Sequence, residues 1–394
     1  MNPSRIVLLA VGLSLGPTVS NSFARFAYAL VLPAMREDLA FNFSQAGFLN
    51  TANALGYLTG AVLTRLLVNQ WGNKRLFHHG MILTSAALLL TGLAHDLWVL
   101  AICRLLGGIG GAAVFICGGV LAGNIIAQDA KWSTRCITIY FGGAGLGLML
   151  CGAFIPAWLE TTGPAGWSDI WIAMGIAAAL MSVASHRCVI EIAEPSHAAG
   201  SSAWPLRPML PAFLSYICFG LGYIVYMTFI IAWIRAQGIS TAEVTAMWLL
   251  LGLTTILSPL VWSSPLARWR GGRPMAAVML TLGIGAGLPV IPLPPEWQFF
   301  GIQCSAALFG LGMFSAPASV STLIKHALPR PAWGSAMATF TIAFGLSQVI
   351  APLASGWLAD MSGSLRSGLS LSAIIILLGA ALALLQRPLT QQQH

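Results

Sequence analysis

Long apolar runs separated by short polar turns dominate the chain, and their lengths set the expected architecture. Taken in windows of about 19 residues, the length that crosses a hydrocarbon core, the pattern predicts helices at 6–32, 44–67, 77–94, 97–126, 136–159 and 170–187. A second set follows at 209–234, 243–266, 275–291, 298–324, 335–359 and 369–386. The runs are continuous instead of alternating, so the expectation is an all-α membrane protein, since a helix satisfies every backbone polar group within its own segment. The longest polar interruption, Arg187 to Pro208, contains Glu191, Glu194 and three prolines. It divides the chain into an expected N-terminal six-helix half at 1–188, a linker at 189–208, a C-terminal six-helix half at 209–387 and a tail at 388–394.

Composition sharpens this picture. Of the 394 residues, 57% are hydrophobic and 8% charged, where a soluble domain carries about 25% charged residues. The net charge of +8 would suggest nucleic acid in a soluble protein. Here the cations occupy short loops, where they set orientation, so the bilayer is the expected partner and nucleic acid is not. Arg5, Lys74, Arg75, Lys131, Arg135, Arg187, Arg207, Arg268, Arg270, Arg273, Lys325, Arg330 and Arg387 fall on one side, whereas Glu37, Asp38, Asp96, Glu160, Asp169, Glu243, Glu296 and Asp360 gather on the other. Both termini are therefore expected in the cytoplasm of a bacterial inner membrane. The start imitates a secretion signal, but its apolar character continues past Arg25 to Leu32, too long for a cleaved segment, so it reads as the first helix. Seven scattered cysteines show no CxxC spacing, and neither a metal site, a disulfide nor a cofactor is expected.

Candidate chemistry centres on Arg25, deep in the first apolar run with no acidic residue at comparable depth. A charge near mid-bilayer costs about 2.5–3.5 kcal/mol on insertion scales. With no internal carboxylate to offset it, the simplest partner is an anionic solute. Asn21 and Tyr28, at i−4 and i+3 from Arg25, are expected to share its helical face. Asn53 and Tyr57 with Asn50 on the second helix, Tyr223 and Tyr226 on the seventh, and Gln348 on the eleventh are further candidates for a substrate-binding set. Asparagines and glutamines also join membrane helices to one another, so for Asn53, Gln303 and Gln348 a packing role competes with the binding one.

The halves echo each other. Trp71-Gly72-Asn73-Lys74-Arg75 follows the second helix of the first half, and Trp269-Arg270-Gly271-Gly272-Arg273 follows the second helix of the other. The first of these turns, extended to Asn69-Gln70, is similar to the signature of the major facilitator superfamily between helices two and three, with Asn69 where the pattern has aspartate and Gln70 where it has a basic residue. Arg104-Leu105-Leu106-Gly107-Gly108-Ile109-Gly110 resembles the arginine-plus-glycines motif of the fourth helix. Gly142 to Gly152 is glycine-rich yet lacks the Gly-Pro pair associated with drug/proton antiporters. Phe23-Ala24-Arg25-Phe26-Ala27-Tyr28, Leu32-Pro33-Ala34-Met35 and Leu49 to Tyr57 together resemble a poorly characterised bacterial branch, the YbfB/YjiJ-type carriers. The resemblance implies twelve transmembrane helices in two pseudo-symmetric six-helix bundles, and gating or coupling roles for Arg104, Gly72, Lys74 and Arg75.

Gly12-Leu13-Ser14-Leu15-Gly16 matches a nucleophile elbow and Gly107 to Gly111 a dinucleotide loop, but neither has the preceding strand that those motifs require, so no enzyme is expected. The preferred reading is a monomeric secondary or facilitative transporter of a small organic anion, a mono- or dicarboxylate, working by alternating access. Coupling to a proton through Asp38, Glu243 or Asp360, or to a counter-anion, remains open at this point. The alternative is a drug or hydrophobic-compound efflux carrier with an aromatic cavity drawing on Phe115, Trp248, Phe314 and Phe344. Fusing a reporter active only in the periplasm to His394 should give no signal, and strong signal would reverse the expected orientation.

Overall fold

Glycine and proline set where the chain bends, and twelve helical spans result. The computed structural model describes residues 2–126, 128–194, 204–329 and 332–389, with helix as the regular structure throughout. The middle of the expected linker and the end of the expected tail lie outside the described residues. Span α1 is Pro3–Asp38. One long helical stretch, Phe43–Leu93, turns at Gly72 (φ 76°, ψ 164°) and so supplies two spans, α2 over 43–71 and α3 over 73–93. The loop expected at 68–76 thus shrinks to one glycine, because only that residue adopts this positive-φ conformation without strain. The first half continues with α4 (Leu97–Asn124), α5 (Ala130–Thr162) and α6 (Trp167–Glu191). The second comprises α7 (Leu210–Ala236), α8 (Thr241–Arg268), α9 (Arg273–Gly287), α10 (Pro295–Ala327, interrupted at Phe314), α11 (Trp333–Ser362) and α12 (Leu365–Leu384).

Helix starts follow ordinary capping rules. Asn42 with Gln45, and Ser240 with Glu243, form reciprocal capping boxes at the starts of α2 and α8. Asp96 and Asp129 accept backbone N–H groups at the starts of α4 and α5. Leucines and isoleucines such as Leu180, Leu260 and Ile374 point outward and are well exposed, as a lipid-facing surface requires.

Within the first half, α3 packs against α6, and α1 lies against α5. Between the halves, α2 packs on α11 and α5 on α8. Small residues make these approaches possible. A side chain at Gly145 would come within 2.6 Å of the Gly252 carbonyl, and one at Gly252 equally close to the Gly145 carbonyl. The bonds that join the halves run from mid-depth to the face away from the termini, here the distal face. There Asp360 at the end of α11 accepts from the backbone N–H groups of Phe43 (2.9 Å) and Ser44 (2.8 Å) at the start of α2. A carboxylate at a helix N-terminus is favoured by the free N–H groups and the dipole. Deeper, Asn50 donates to Thr228 Oγ1 at 2.5 Å and Thr51 to the Val349 carbonyl at 2.7 Å.

On the terminal face the first half closes on its own exit. Arg5 pairs with Glu191, and Glu194 accepts from the backbone N–H and side-chain amide of Asn73 and from the backbone N–H of Lys74.

The glycine run of α5 is the seat of α1. Ser22 Oγ donates to the Ala144 carbonyl at 2.6 Å and Thr18 Oγ1 to that of Gly143 at 2.8 Å. A Cβ at Gly147 would fall 2.5 Å from the Ser22 Cβ, whereas one at Gly142 meets nothing within 4 Å. Gly147→Val should therefore destabilise the fold by about 1–3 kcal/mol, the usual cost of overpacking. Gly142→Ala should leave it unchanged; thermal melts of the two purified variants, compared with the parent, check the contrast.

Candidate functional site

The first span is not one regular helix. Gly16-Pro17 interrupts it, and Thr18–Phe26 is wound as a π-helix with every residue buried. Proline cannot donate to the preceding turn, and the wider i→i+5 winding that follows is a feature common at functional sites. Arg25 sits at the end of this segment. Because α1 continues to Asp38, Arg25 is about 20 Å from the distal end of its helix at 1.5 Å per residue, too far for its head group to reach water there.

Arg25 is 6% exposed, and its guanidinium crosses to the other half, where an Nη donates to Oε1 of Gln348 on α11. The Gln348 amide is oriented by its own Nε2, which donates to the Phe344 carbonyl at 3.2 Å. Beyond it, Pro352 lacks the N–H that would close the helical bond to Gln348. The Arg25 Nε is buried with no hydrogen-bond partner. The guanidinium lies 5.2 Å from the centroid of the Tyr57 ring and 5.9 Å from that of Phe26, within cation–π range. Among the described residues, no carboxylate comes within salt-bridge distance of it.

Arg104 is the second deep cation, 3% exposed, and it has a different task. Its Nη1 donates to the Ala24 carbonyl at 2.6 Å, a group at the π-wound segment. It also lies 4.7 Å from the Tyr28 ring centroid and 5.4 Å from that of Trp171. Asn53 donates to the same Ala24 carbonyl at 3.4 Å and to the Arg104 carbonyl at 3.0 Å. Together Arg104 and Asn53 brace the backbone immediately before Arg25.

The sequence-predicted set therefore divides. Arg25, Tyr57 and Gln348 come together, and Tyr223 lies next to them, stacked on Phe344, whose carbonyl holds the Gln348 amide. Tyr28 turns to α2, donating to the Ala46 carbonyl at 2.8 Å, so its hydroxyl already has a partner in the first half. Asn21 accepts from Ser20 Oγ. Tyr226 bonds Ser305 at 2.7 Å and stacks on Phe309, within the second half. Gln303 donates to the Glu243 carbonyl and ties α10 to α8. Gly72 makes the α2–α3 turn, Lys74 Nζ donates to the Ile190 carbonyl at 3.0 Å, and the Arg75 carbonyl lies 2.7 Å from His79 Nδ1.

Sequence reasoning missed three things. The Gln348 partner of Arg25 lies 323 positions away, and no local spacing signals it. Glu194 supplies to the α2–α3 turn an acid that Asn69 does not. Finally, Phe219 stacks with Tyr223, Tyr216 and Phe344 into one tier of rings; the i, i+3, i+7 spacing of Tyr216, Phe219 and Tyr223 could have revealed its α7 part.

Comparison with known proteins gives the family and the fold. The chain belongs to the family described as uncharacterised MFS-type transporter YbfB, whose model matches residues 18–384. It is 28% identical over 167 residues to the 3-(3-hydroxy-phenyl)propionate transporter of Escherichia coli (strain K12), a match covering 42% of this chain and 38% of that protein's length. It is 22% identical over 398 residues to the probable sulfoacetate transporter SauU of Cupriavidus necator, covering 93% of this chain and 90% of that one. Among solved structures, an inward-facing, unoccupied bacterial homolog of the human lysosomal transporter Spinster superposes with TM-score 0.71 at 14% identity, covering 98% of this chain and 97% of the other. The nucleoside transporter NupG gives TM-score 0.73 at 11% identity over 95% and 97%. At these identities the structural likeness concerns the fold. The chain is a multi-pass membrane protein of a transporter family, and the expected twelve-helix architecture agrees with both.

The two deep arginines should separate by stability. Arg104→Ala strips the Ala24 carbonyl of a charged donor and should cost about 1.5–3 kcal/mol, read as a lower unfolding midpoint in detergent. Arg25→Ala removes a charge held by a side-chain amide and not by the backbone of the π-wound segment, and should shift the midpoint much less. Equal losses would remove the distinction between bracing and binding.

Proposed function

From membership of that transporter family, we propose that this protein carries a small organic anion, with Arg25 holding its carboxylate. The observation that carries the proposal is a buried guanidinium whose acceptor is a neutral amide of the opposite half and whose Nε has no partner among the described residues. An uncharged amide offsets a buried charge poorly. A carboxylate offsets it fully and can use two N–H groups of the planar fork at once. Within low-dielectric walls that preference for anions over cations is amplified. The relatives support the class, since both are named for organic acids, 3-(3-hydroxy-phenyl)propionate and sulfoacetate.

Transport would proceed by alternating access, the two six-helix halves moving about a site between them. Arg25 and Gln348 belong to opposite halves, so their bond ties the halves when no substrate is bound. An arriving carboxylate competes for the guanidinium and takes over the neutralisation that Gln348 supplies weakly. Movement of the loaded carrier then proceeds without exposing an unpaired charge, whereas the empty carrier is held by the Arg25–Gln348 bond. Gln348 is thus a stand-in for substrate, and Tyr57 and Tyr223 flank the same position. The carrier would sit in the bacterial inner membrane with both termini cytoplasmic, as its loop charges favour. Asp360, which caps α2 from the opposite half, would be released when the distal face opens.

A thermal-shift screen tests the reading, because a ligand stabilises the state that binds it by mass action. Carboxylates should stabilise the parent protein and quaternary amines should not. Arg25→Ala should abolish the carboxylate response with near-normal folded yield, and Arg25→Lys should retain little, since lysine offers a point charge in place of a fork. Stabilisation of the parent by cations but not carboxylates would replace this reading with efflux of hydrophobic cations.

A further inference from the structure

We infer that the site takes a carboxylate bearing an aromatic ring, the ring lying against the face of Phe344 opposite Tyr57. The inference rests on the anion reading above and adds the rest of the molecule to it.

Four rings of the second half form one tier. Tyr216, Phe219 and Tyr223 of α7 and Phe344 of α11 stack with centroids 4.9–5.9 Å apart and planes within 21° of one another. Ordinary cores mix edge and face contacts. Here the rings share one orientation, so the tier offers a new ring a parallel, offset place, the arrangement that aromatic pairs favour. Phe219 and Tyr223 are sealed at 1% and 4% exposure, while Phe344 is partly exposed and forms the tier's open edge.

This edge is attached to the anion site. Phe344 is the residue whose carbonyl holds the Gln348 amide, one helical turn from the group that bonds Arg25. On the facing half, Tyr57 is partly exposed, lies beside the Arg25 guanidinium and carries Phe115 and then Phe141 behind it. Leu58, its neighbour on α2, packs against Gly345, the neighbour of Phe344. Arg25 therefore lies where an aromatic wall of each half converges.

Polar groups complete the description. The hydroxyls of Tyr57, Tyr216 and Tyr223 have no hydrogen-bond partner among the described residues. They can donate to, or accept from, a hydroxyl or similar substituent on the ring. A short aliphatic acid would satisfy Arg25 but leave this wall unused. The occupant that fits best is an aromatic monocarboxylate, with its ring one or a few carbons from the carboxylate.

The test uses the full-length protein in detergent, with 3-phenylpropionate, cyclohexanepropionate and butyrate as probes and dissociation constants read from ligand-induced stabilisation. The expected order is 3-phenylpropionate tightest, then cyclohexanepropionate, then butyrate. Phe344→Leu should weaken 3-phenylpropionate about three- to tenfold, the range of an aromatic pair, and leave butyrate unchanged. Tyr57→Leu, beside the Arg25 guanidinium on the other half, should weaken both acids and 3-phenylpropionate the more, and the unliganded melting temperature of each variant identifies any that misfolds. If butyrate binds as tightly as 3-phenylpropionate, or if neither variant discriminates between them, the aromatic inference is overturned while the anion reading stands. If no carboxylate binds the parent protein, both fall.

Discussion

A buried guanidinium without a carboxylate is the constraint around which this protein is organised. Membrane proteins keep such groups where something offsets the cost, and the compensation available to Arg25 is a neutral amide from the opposite half and two aromatic faces, its Nε having no partner among the described residues. Every other feature near mid-depth bears on that arrangement. The π-wound segment carries Arg25, Arg104 and Asn53 hold the backbone before it, and the α5 glycines let α1 come close enough to be held.

The two arginines illustrate how one residue type serves two ends. Arg104 gives one N–H to a backbone carbonyl and lies over two rings of its own half, its Nε and second Nη having no partner among the described residues, so its hold stays within that half. Arg25 spends its charge across the boundary between halves, where any movement must break the bond. On the proposed function, a group placed there would sense the relative position of the halves and the presence of an anion together. That is why Gln348, an uncharged residue with a weak hold, suits the position better than an acid would. A glutamate would neutralise Arg25 permanently and leave a carboxylate substrate without its partner.

Much of this was legible in the sequence. Apolar runs and loop charges announced a twelve-helix membrane protein, because hydrophobic length is a direct physical requirement of the bilayer. Arg25 announced itself for the same reason, being costly where it stands. What stayed hidden was relational. The Arg25–Gln348 pair spans the two halves, Asn21 and Tyr28 meet partners of their own in Ser20 and the Ala46 carbonyl, and the α2–α3 loop closed to a single glycine. Glu194 and Asp360 could be seen as acids near the ends of helices, but not as caps for other helices, since that depends on which termini the fold brings near.

The central claim is that Arg25 itself grips the anion, and arginine side-chain NMR tests it most directly. Protein labelled with nitrogen-15 at arginine would be titrated with 3-phenylpropionate, the Arg25 Nε resonance being identified by its loss in Arg25→Lys. The account predicts a saturable shift of that resonance, with the Arg104 Nε signal far less affected, and no response to a lipophilic cation. A carboxylate that stabilises the protein while leaving the Arg25 resonance in place would contradict it.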